Sequence, residues 1–484
     1  MIEQAAARKP PREHLTSEQI TKEVARKYGT CTVIAAWLAV FCLFGYRSSF
    51  SIMQSSLMEG MGWTSTQASL GYCFMMTFYA ITAFLSGSLI DRRGTRPAYA
   101  IGAVCCFLGF FLTSFIPEGA SWSFPVYLFT YGVFAGVGTG MLWVSSTISC
   151  RKWYAGTEYG TKWGLAFMGA PMAQLLLTVL VSPILKSAGW SAGMKVLSII
   201  MAAMLLLAAA VAKPMPDKVG AKPFGMDSLP KKKADVSKPA HVWTVAAAFK
   251  TRALWRDILA FMFAVIGEFL IWSQIASYFT VDLGWTQPPL LGMPLANAIY
   301  IVISLAGIFT MPLTGRASDA LVKRMGAERP ARRTMLALSP LFGIVGMLLA
   351  LTGNLPVVVL GMVLLAVYWG IEPGGAAGYA GTVFGGTSLG KIWGLATLII
   401  MGIGPSLGTF MGAFLFDTFL VLRAGSLLRH RGVCGIYHLS VAAPNQGRGR
   451  VRPQRYVGLS QGVPAQLASA SQLQGQGHRT PKPP

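Results

Sequence analysis

Eleven apolar stretches, each near the length of a bilayer core, recur along this chain and are joined by connections that alternate between basic and non-basic. They fall at about 31–53, 67–90, 98–116, 125–149, 163–185 and 192–212, and resume at about 257–280, 292–314, 334–353, 355–378 and 393–421. A hydrocarbon core demands roughly 20 consecutive apolar residues of a spanning helix. The pattern therefore predicts an all-α integral membrane protein whose main solvent is lipid. Composition agrees, since 53% of the 484 residues are apolar and only 12% are charged, about half the charged share of an ordinary soluble domain. The formal charge of +23 does not make nucleic acid a partner. Lys and Arg sit between apolar runs, not on an aromatic-studded face.

Orientation follows from where those cations fall. The N-terminal segment 1–30, the turn with Arg92, Arg93 and Arg96, the turn with Arg151 and Lys152, the central linker 213–256 with Lys231-Lys232-Lys233, and the Arg316–Arg333 loop are basic. The alternating connections at 54–66, 117–124, 281–291 and 353–355 hold no Lys or Arg, and only Lys186 and Lys195 blur the alternation. By the positive-inside rule the N-terminus and central linker face the cytoplasm, in a multi-pass protein of the cell membrane. The polar first thirty residues and the long apolar run after them do not read as a cleavable signal peptide.

The chain also repeats itself. Gly45 followed by Gly62-Trp63-Thr64 recurs as Gly267 followed by Gly284-Trp285-Thr286, at an offset of 222. Gly87 with Asp91 recurs as Gly315 with Asp319 at 228, and Trp163-Gly164-Leu165-Ala166 as Trp393-Gly394-Leu395-Ala396 at 230. Three matches in one order, with slowly drifting offsets, argue for a duplicated six-helix unit. Parallel repeats of this kind are one architecture of alternating access.

The sharpest local motif is Gly87-Ser88-Leu89-Ile90-Asp91-Arg92-Arg93-Gly94-Thr95-Arg96-Pro97, between the second and third stretches. It resembles the G-x-L-x-D-R-x-G-x-R loop of the major facilitator superfamily, and with the repeats the resemblance covers residues 30–421. It implies a twelve-helix transporter with an N-terminal bundle over 31–212 and a C-terminal bundle over 257–421. It also implies that Gly87, Asp91, Arg92, Gly94 and Arg96 form a cytoplasmic gate that locks one of two rocking states. The chemistry is compatible: Gly94 suits a short turn between antiparallel helices, and Asp91 can accept hydrogen bonds at a helix end or pair with an Arg. The second copy is degraded, with four extra residues between Asp319 and Gly326, so Asp319 is not expected to gate.

Ionisable groups inside spans are costly and mark function by default. Arg47 lies in the first stretch, Glu268 in the seventh and Glu372 in the tenth. The repeat register aligns Arg47 with Phe269, beside Glu268, and in the family these two helices line the central cavity. An Arg fork suits a carboxylate or other oxyanion. Arg47 is thus a substrate-binding candidate, with Trp272 and Trp369 as possible cavity lining, while Glu268 and Glu372 are proton-coupling candidates. Pro373-Gly374-Gly375 is expected to bend the tenth helix and bring Glu372 near water. The sets Gly132, Gly136, Gly140 and Gly404, Gly408, Gly412 each lie on one helix face and read as packing. Six cysteines, Cys31, Cys42, Cys73, Cys105, Cys106 and Cys150, fall in or beside apolar runs and read as buried thiols.

The expectation is a secondary active transporter moving a small organic anion, a carboxylate, by proton-coupled or exchange alternating access. Arg47 with Arg151-Lys152-Trp153-Tyr154 resembles the branch carrying monocarboxylates and oxalate or formate. The alternatives are an efflux carrier for amphipathic compounds and a membrane sensor without flux. No enzyme site, metal cluster or P-loop emerges, so no cofactor is expected. The expected partners are the lipid bilayer, a small-molecule substrate and protons, and the protein is read as a monomer.

The C-terminus departs from the family. An offset of 230 maps the sixth stretch onto about 422–442, where Arg423, Arg429, His430 and Arg431 would be costly at bilayer depth. Beyond Phe419 there is no Phe, Met, Trp, Asp or Glu, but there are eight Arg and three of the five His. We read 422–484 as a basic low-complexity tail that replaces the twelfth helix through a reading-frame change near 417–422. The alternative is a disordered tail after an eleven-helix variant. Sequencing the encoding DNA checks this: another frame just downstream should encode about twenty apolar residues. A downstream region with no such run in any frame would contradict it.

Overall fold

Within the described residues, each apolar stretch is occupied by a helix. The computed structural model describes residues 17–227, 229–230, 243–279, 283, 285, 295–385 and 388–412. The predicted twelfth helix, the 422–484 tail and the triple lysine of the linker lie outside them. In chain order the helices are α1 Ser17–Met61, α2 Ser65–Arg93, α3 Thr95–Thr113, α4 Ser123–Trp153, α5 Tyr159–Leu185 and α6 Ser187–Lys218. The second half holds α7 Arg252–Ser277, α8 Leu295–Met325, α9 Glu328–Ala350, α10 Leu355–Phe384 and α11 Leu389–Gly412.

Local chemistry sets the boundaries. Thr64 opens α2 with a capping box, its hydroxyl accepting from the Gln67 N–H while the Gln67 side chain accepts from the Thr64 N–H. Gly94 closes α2 with φ 82°, and its N–H donates to the Ile90 carbonyl at 2.9 Å. A residue with a Cβ resists that backbone conformation, so the motif's second glycine is required by the turn. Gly189, at φ 72°, kinks the continuous run Gly169–Val211 in the first turn of α6.

Two expected boundaries shift. Residues 17–30, expected as part of the N-terminal segment, are helical and continuous with the rest of α1. The linker described as polar is partly built in. Phe224 pairs with the α4–α5 connection through its N–H to the Trp153 carbonyl (2.9 Å) and its carbonyl to the Ala155 N–H (2.8 Å). A short helix, Val245–Phe249, then precedes α7, which starts five residues before the predicted 257.

The glycine ladders are packing devices, as their spacing suggested. A Cβ on Gly132, Gly136 or Gly140 would collide with Phe74, Met75 or Tyr79 of α2. Gly404 and Gly408 let α11 lie against Val265 and Ile266 of α7 in the same way. The thiols follow less simply: Cys42, Cys106 and Cys150 are buried, but Cys73 is exposed on the outside of α2.

Candidate transport site and gate

Among the described residues, the connections around Asp91, Arg151 and Lys152, and Asp319 to Arg332 come together, and there the two halves are clasped by a pair of equivalent contacts. Asp91, at the end of α2, accepts from the N–H groups of Gly390 (3.2 Å) and Lys391 (2.9 Å) in the first turn of α11. Asp319, in α8, accepts from the N–H groups of Gly160 (2.8 Å) and Thr161 (2.6 Å) in the first turn of α5. Each carboxylate therefore satisfies orphan donors at a helix N-terminus in the opposite half, where the helix dipole also favours it. Neighbouring glycines make the approach possible. A Cβ on Gly87 would strike the Gly390 carbonyl, and one on Gly315 the Gly160 carbonyl. The four extra residues after Asp319 simply prolong α8, leaving the carboxylate in register. The expectation that the second copy is out of use is thus corrected on geometry.

Ion pairs fill the space between the two clasps. Lys152 Nζ lies 2.9 Å from Asp91 Oδ1. Arg151 meets Glu328 of α9 through both guanidinium nitrogens, at 2.9 and 3.0 Å, across the two halves. Arg332, only 1% exposed, donates to Asp319 (2.8 Å), to Ser318 and to the Gly156 carbonyl (2.9 Å). Breaking a buried pair of this kind typically costs about 3–5 kcal/mol. Sequence reading gave Arg151 and Lys152 to a substrate branch and the Glu328 and Arg332 loop to topology alone. The partners of Lys152 and Arg151 are 61 and 177 residues away in sequence, where no local pattern announces them. Within the motif, Arg96 donates instead to the Ala209 and Ala210 carbonyls at the end of α6. Arg92 is exposed, and its carbonyl accepts from Lys218.

Farther into the bundle, Arg47 of α1 retains partial exposure. Its guanidinium lies 4.4 Å from the Phe269 ring of α7 and 5.1 Å from the Phe44 ring, within hydrogen-bonding reach of Tyr72 and electrostatic reach of Glu268. The repeat register that set Arg47 beside Phe269 and Glu268 describes this meeting of the halves. Glu268 is 9% exposed, and its Oε2 has no hydrogen-bond partner. Both rings thus hold the guanidinium through cation–π contact.

Between this site and the basic end lies a floor of rings from both halves. Phe44 contacts Trp143 (6.4 Å) and Phe167 (5.4 Å). Trp143 stacks on Phe261 of α7, which stacks on Trp393 at 6.1 Å. Trp369 packs on Phe167 at 6.2 Å, while the Trp272 side chain lies outside the described residues. Glu372 is not near water as expected. The helix runs on through Pro373, and Glu372 is 2% exposed, accepting from the Ser339 hydroxyl. Asp257, at the edge of a predicted stretch and passed over in the sequence, is buried in α7.

Residues 36–409 match the Major Facilitator Superfamily. Among curated proteins the chain is similar to probable hexose phosphate transport proteins of Chlamydia muridarum (25% identity, 63% of this chain and 68% of that one) and Chlamydia pneumoniae (24%, 70% and 74%). A shorter match, 24% over 186 residues, is to the probable anion transporter 4, chloroplastic, of Arabidopsis thaliana, covering 38% of this chain and 34% of that one. Among solved structures it is similar in fold to the proton:xylose symporter XylE (TM-score 0.55, 15% identity, 84% of this chain and 91% of that one). FucP in its outward conformation gives a TM-score of 0.52 at 14% identity, over 80% of this chain and 92% of that one. With that match spanning nearly the whole helical region, this multi-pass transporter chain belongs to the Major Facilitator Superfamily.

Proposed function

We propose that the protein is a proton-coupled secondary transporter of a small, singly charged organic anion, a carboxylate, acting as a monomer in the cell membrane. The observation that carries this reading is the single guanidinium of Arg47, set between rings at the junction of the halves with the acid Glu268 in reach. One cation cannot serve two anions equally. When Glu268 is ionised it competes for Arg47. When Glu268 is protonated, the guanidinium edge is free for the substrate's carboxylate. A proton and an anion then bind together as a neutral cargo.

The basic end is the cytoplasmic one on this reading. It is clasped by Asp91 and Asp319, so the described state is closed to the cytoplasm, and release requires the clasps and the aromatic floor to part. The relatives named for hexose phosphate and anion transport support an anionic cargo. A lone Arg fits a monoanion better than a phosphate dianion, which favours the carboxylate. The branch carrying monocarboxylates and oxalate or formate remains our assignment, with its singly charged members as the expected cargo.

Glu268→Gln tests the coupling in proteoliposomes. The variant should keep exchange of substrate for substrate, because an amide holds the neutral form permanently, but should lose accumulation driven by a pH gradient. A variant that still concentrates substrate in response to that gradient removes Glu268 from the mechanism. Uptake of a hexose phosphate, with none of any carboxylate in a panel, overturns the substrate class.

A further inference from the structure

The aromatic floor has a buried acid on its far side that the mechanism above does not use. Asp257 of α7 is 3% exposed, and neither of its carboxyl oxygens has a hydrogen-bond partner. Buried polar groups are nearly always paired, so this one calls for an explanation. Glu372 of α10 is within its electrostatic reach. One Glu372 oxygen accepts from Ser339 of α9, and the other, Oε2, is unpartnered as well. The two helices are tied one turn from Glu372, where the Tyr368 hydroxyl donates to the Ala264 carbonyl at 3.0 Å.

No countercharge meets this pair among the described residues. From α10 it faces Glu372 and Tyr368, and from α9 Ser339. Phe261, one turn from Asp257, packs on the uncharged rings of Trp393 and Trp143. On its own helix Arg252 and Arg256 are exposed, while Arg151 and Lys152 are engaged by Glu328 and Asp91. Lys391 is partly exposed at the start of α11. Two carboxylates this deep cannot both be ionised without a large desolvation cost.

We propose that Asp257 and Glu372 form a second proton-binding site in the C-terminal half, filled while the basic end is closed and emptied when it opens. The ligand is a proton, taken up as one carboxylate becomes a carboxylic acid and given back as the acid ionises. Tyr368, within reach of both Glu268 and Glu372, connects the site to the transport centre. When the floor parts, water reaches Phe261 and Trp393 beside Asp257, and hydration lets the acid ionise toward the basic side. The inference rests on the proton-coupled reading, but its test does not need the substrate.

Infrared difference spectra of the full-length protein in liposomes, recorded on acidification, report each protonated carboxyl as a separate C=O band. Wild type should show bands for two buried sites. Glu268→Gln should remove one, and Asp257→Asn or Glu372→Gln the other, each variant keeping a wild-type unfolding temperature. Asp257→Glu, which retains an acid, should restore the second band if Asp257→Asn folds poorly. Loss of the Glu268 band alone, with nothing removed by the other variants, overturns this inference and leaves the coupling role of Glu268 standing. A titrating Asp257–Glu372 band with no Glu268 band supports the inference and overturns Glu268 as the coupling group. Absence of any titrating band overturns both. A second band abolished by sodium at fixed pH makes this a metal-cation site and overturns the proton assignment.

Discussion

Arg47→Ala is expected to lower transport of the anion about 30-fold or more, since truncating one member of a hydrogen-bonded charge pair costs about 2–5 kcal/mol and each 1.4 kcal/mol is tenfold. The loss has two parts. On the proposed reading the substrate's carboxylate loses its bidentate donor, and Glu268 is left without the charge of Arg47. Arg47→Lys should recover little. An ammonium keeps the charge but cannot present two parallel N–H groups, and it stacks less well between Phe44 and Phe269. Insertion and thermal stability should be retained in both variants, because the ring contacts of α1 with α4 and α5 through Phe44 do not involve the guanidinium. Counterflow of a labelled anion into proteoliposomes measures this directly, and normal counterflow by the alanine variant would rule out the anion site.

The second large effect concerns the clasps. Asp91→Asn and Asp319→Asn should each open the basic end more often, and by similar amounts. The double variant should open it at least tenfold more than wild type, given roughly 1.5–3 kcal/mol for each charge-assisted hydrogen bond weakened. Thr314→Cys is a suitable reporter. Thr314 is 7% exposed and lines the cleft between α5, α8 and α10 beside Trp163 and Gly374. In a background with Cys73 replaced by Ser, its labelling rate by an impermeant thiol reagent from the basic side should rise by similar amounts in the two single variants and further in the double variant. If Asp319→Asn is silent while Asp91→Asn opens the protein, the two clasps are not equivalent and the symmetric lock is wrong.

That symmetry shows what the sequence could and could not disclose. Apolar run length located the eleven long helices of the described residues because backbone satisfaction in lipid leaves few other options. The three repeat offsets were equally informative. At 228 and 230 they map the Asp91 contact with Gly390 and Lys391 onto the Asp319 contact with Gly160 and Thr161. The inserted residues after Asp319 misled because a linear motif measures distance to the next glycine. The clasp depends only on where the carboxylate leaves its helix. Arg47 and Glu268 could be singled out by their cost in an apolar run, and the register brought them together. Glu372 was misplaced because proline and glycine suggest a bend, whereas neighbouring helices hold α10 straight enough to bury it. Asp257 and the Arg151–Glu328 pair were beyond reach: one sits at a span's edge, and the other joins helix ends 177 residues apart.

Uphill uptake of a labelled carboxylate into proteoliposomes, under an inward pH gradient and then with a protonophore added, tests the central claim most directly. Accumulation above the outside concentration that collapses on protonophore addition, and that Arg47→Ala abolishes, is the predicted result. Saturable binding of the same carboxylate with neither exchange nor accumulation would contradict proton-coupled transport and identify a sensor instead.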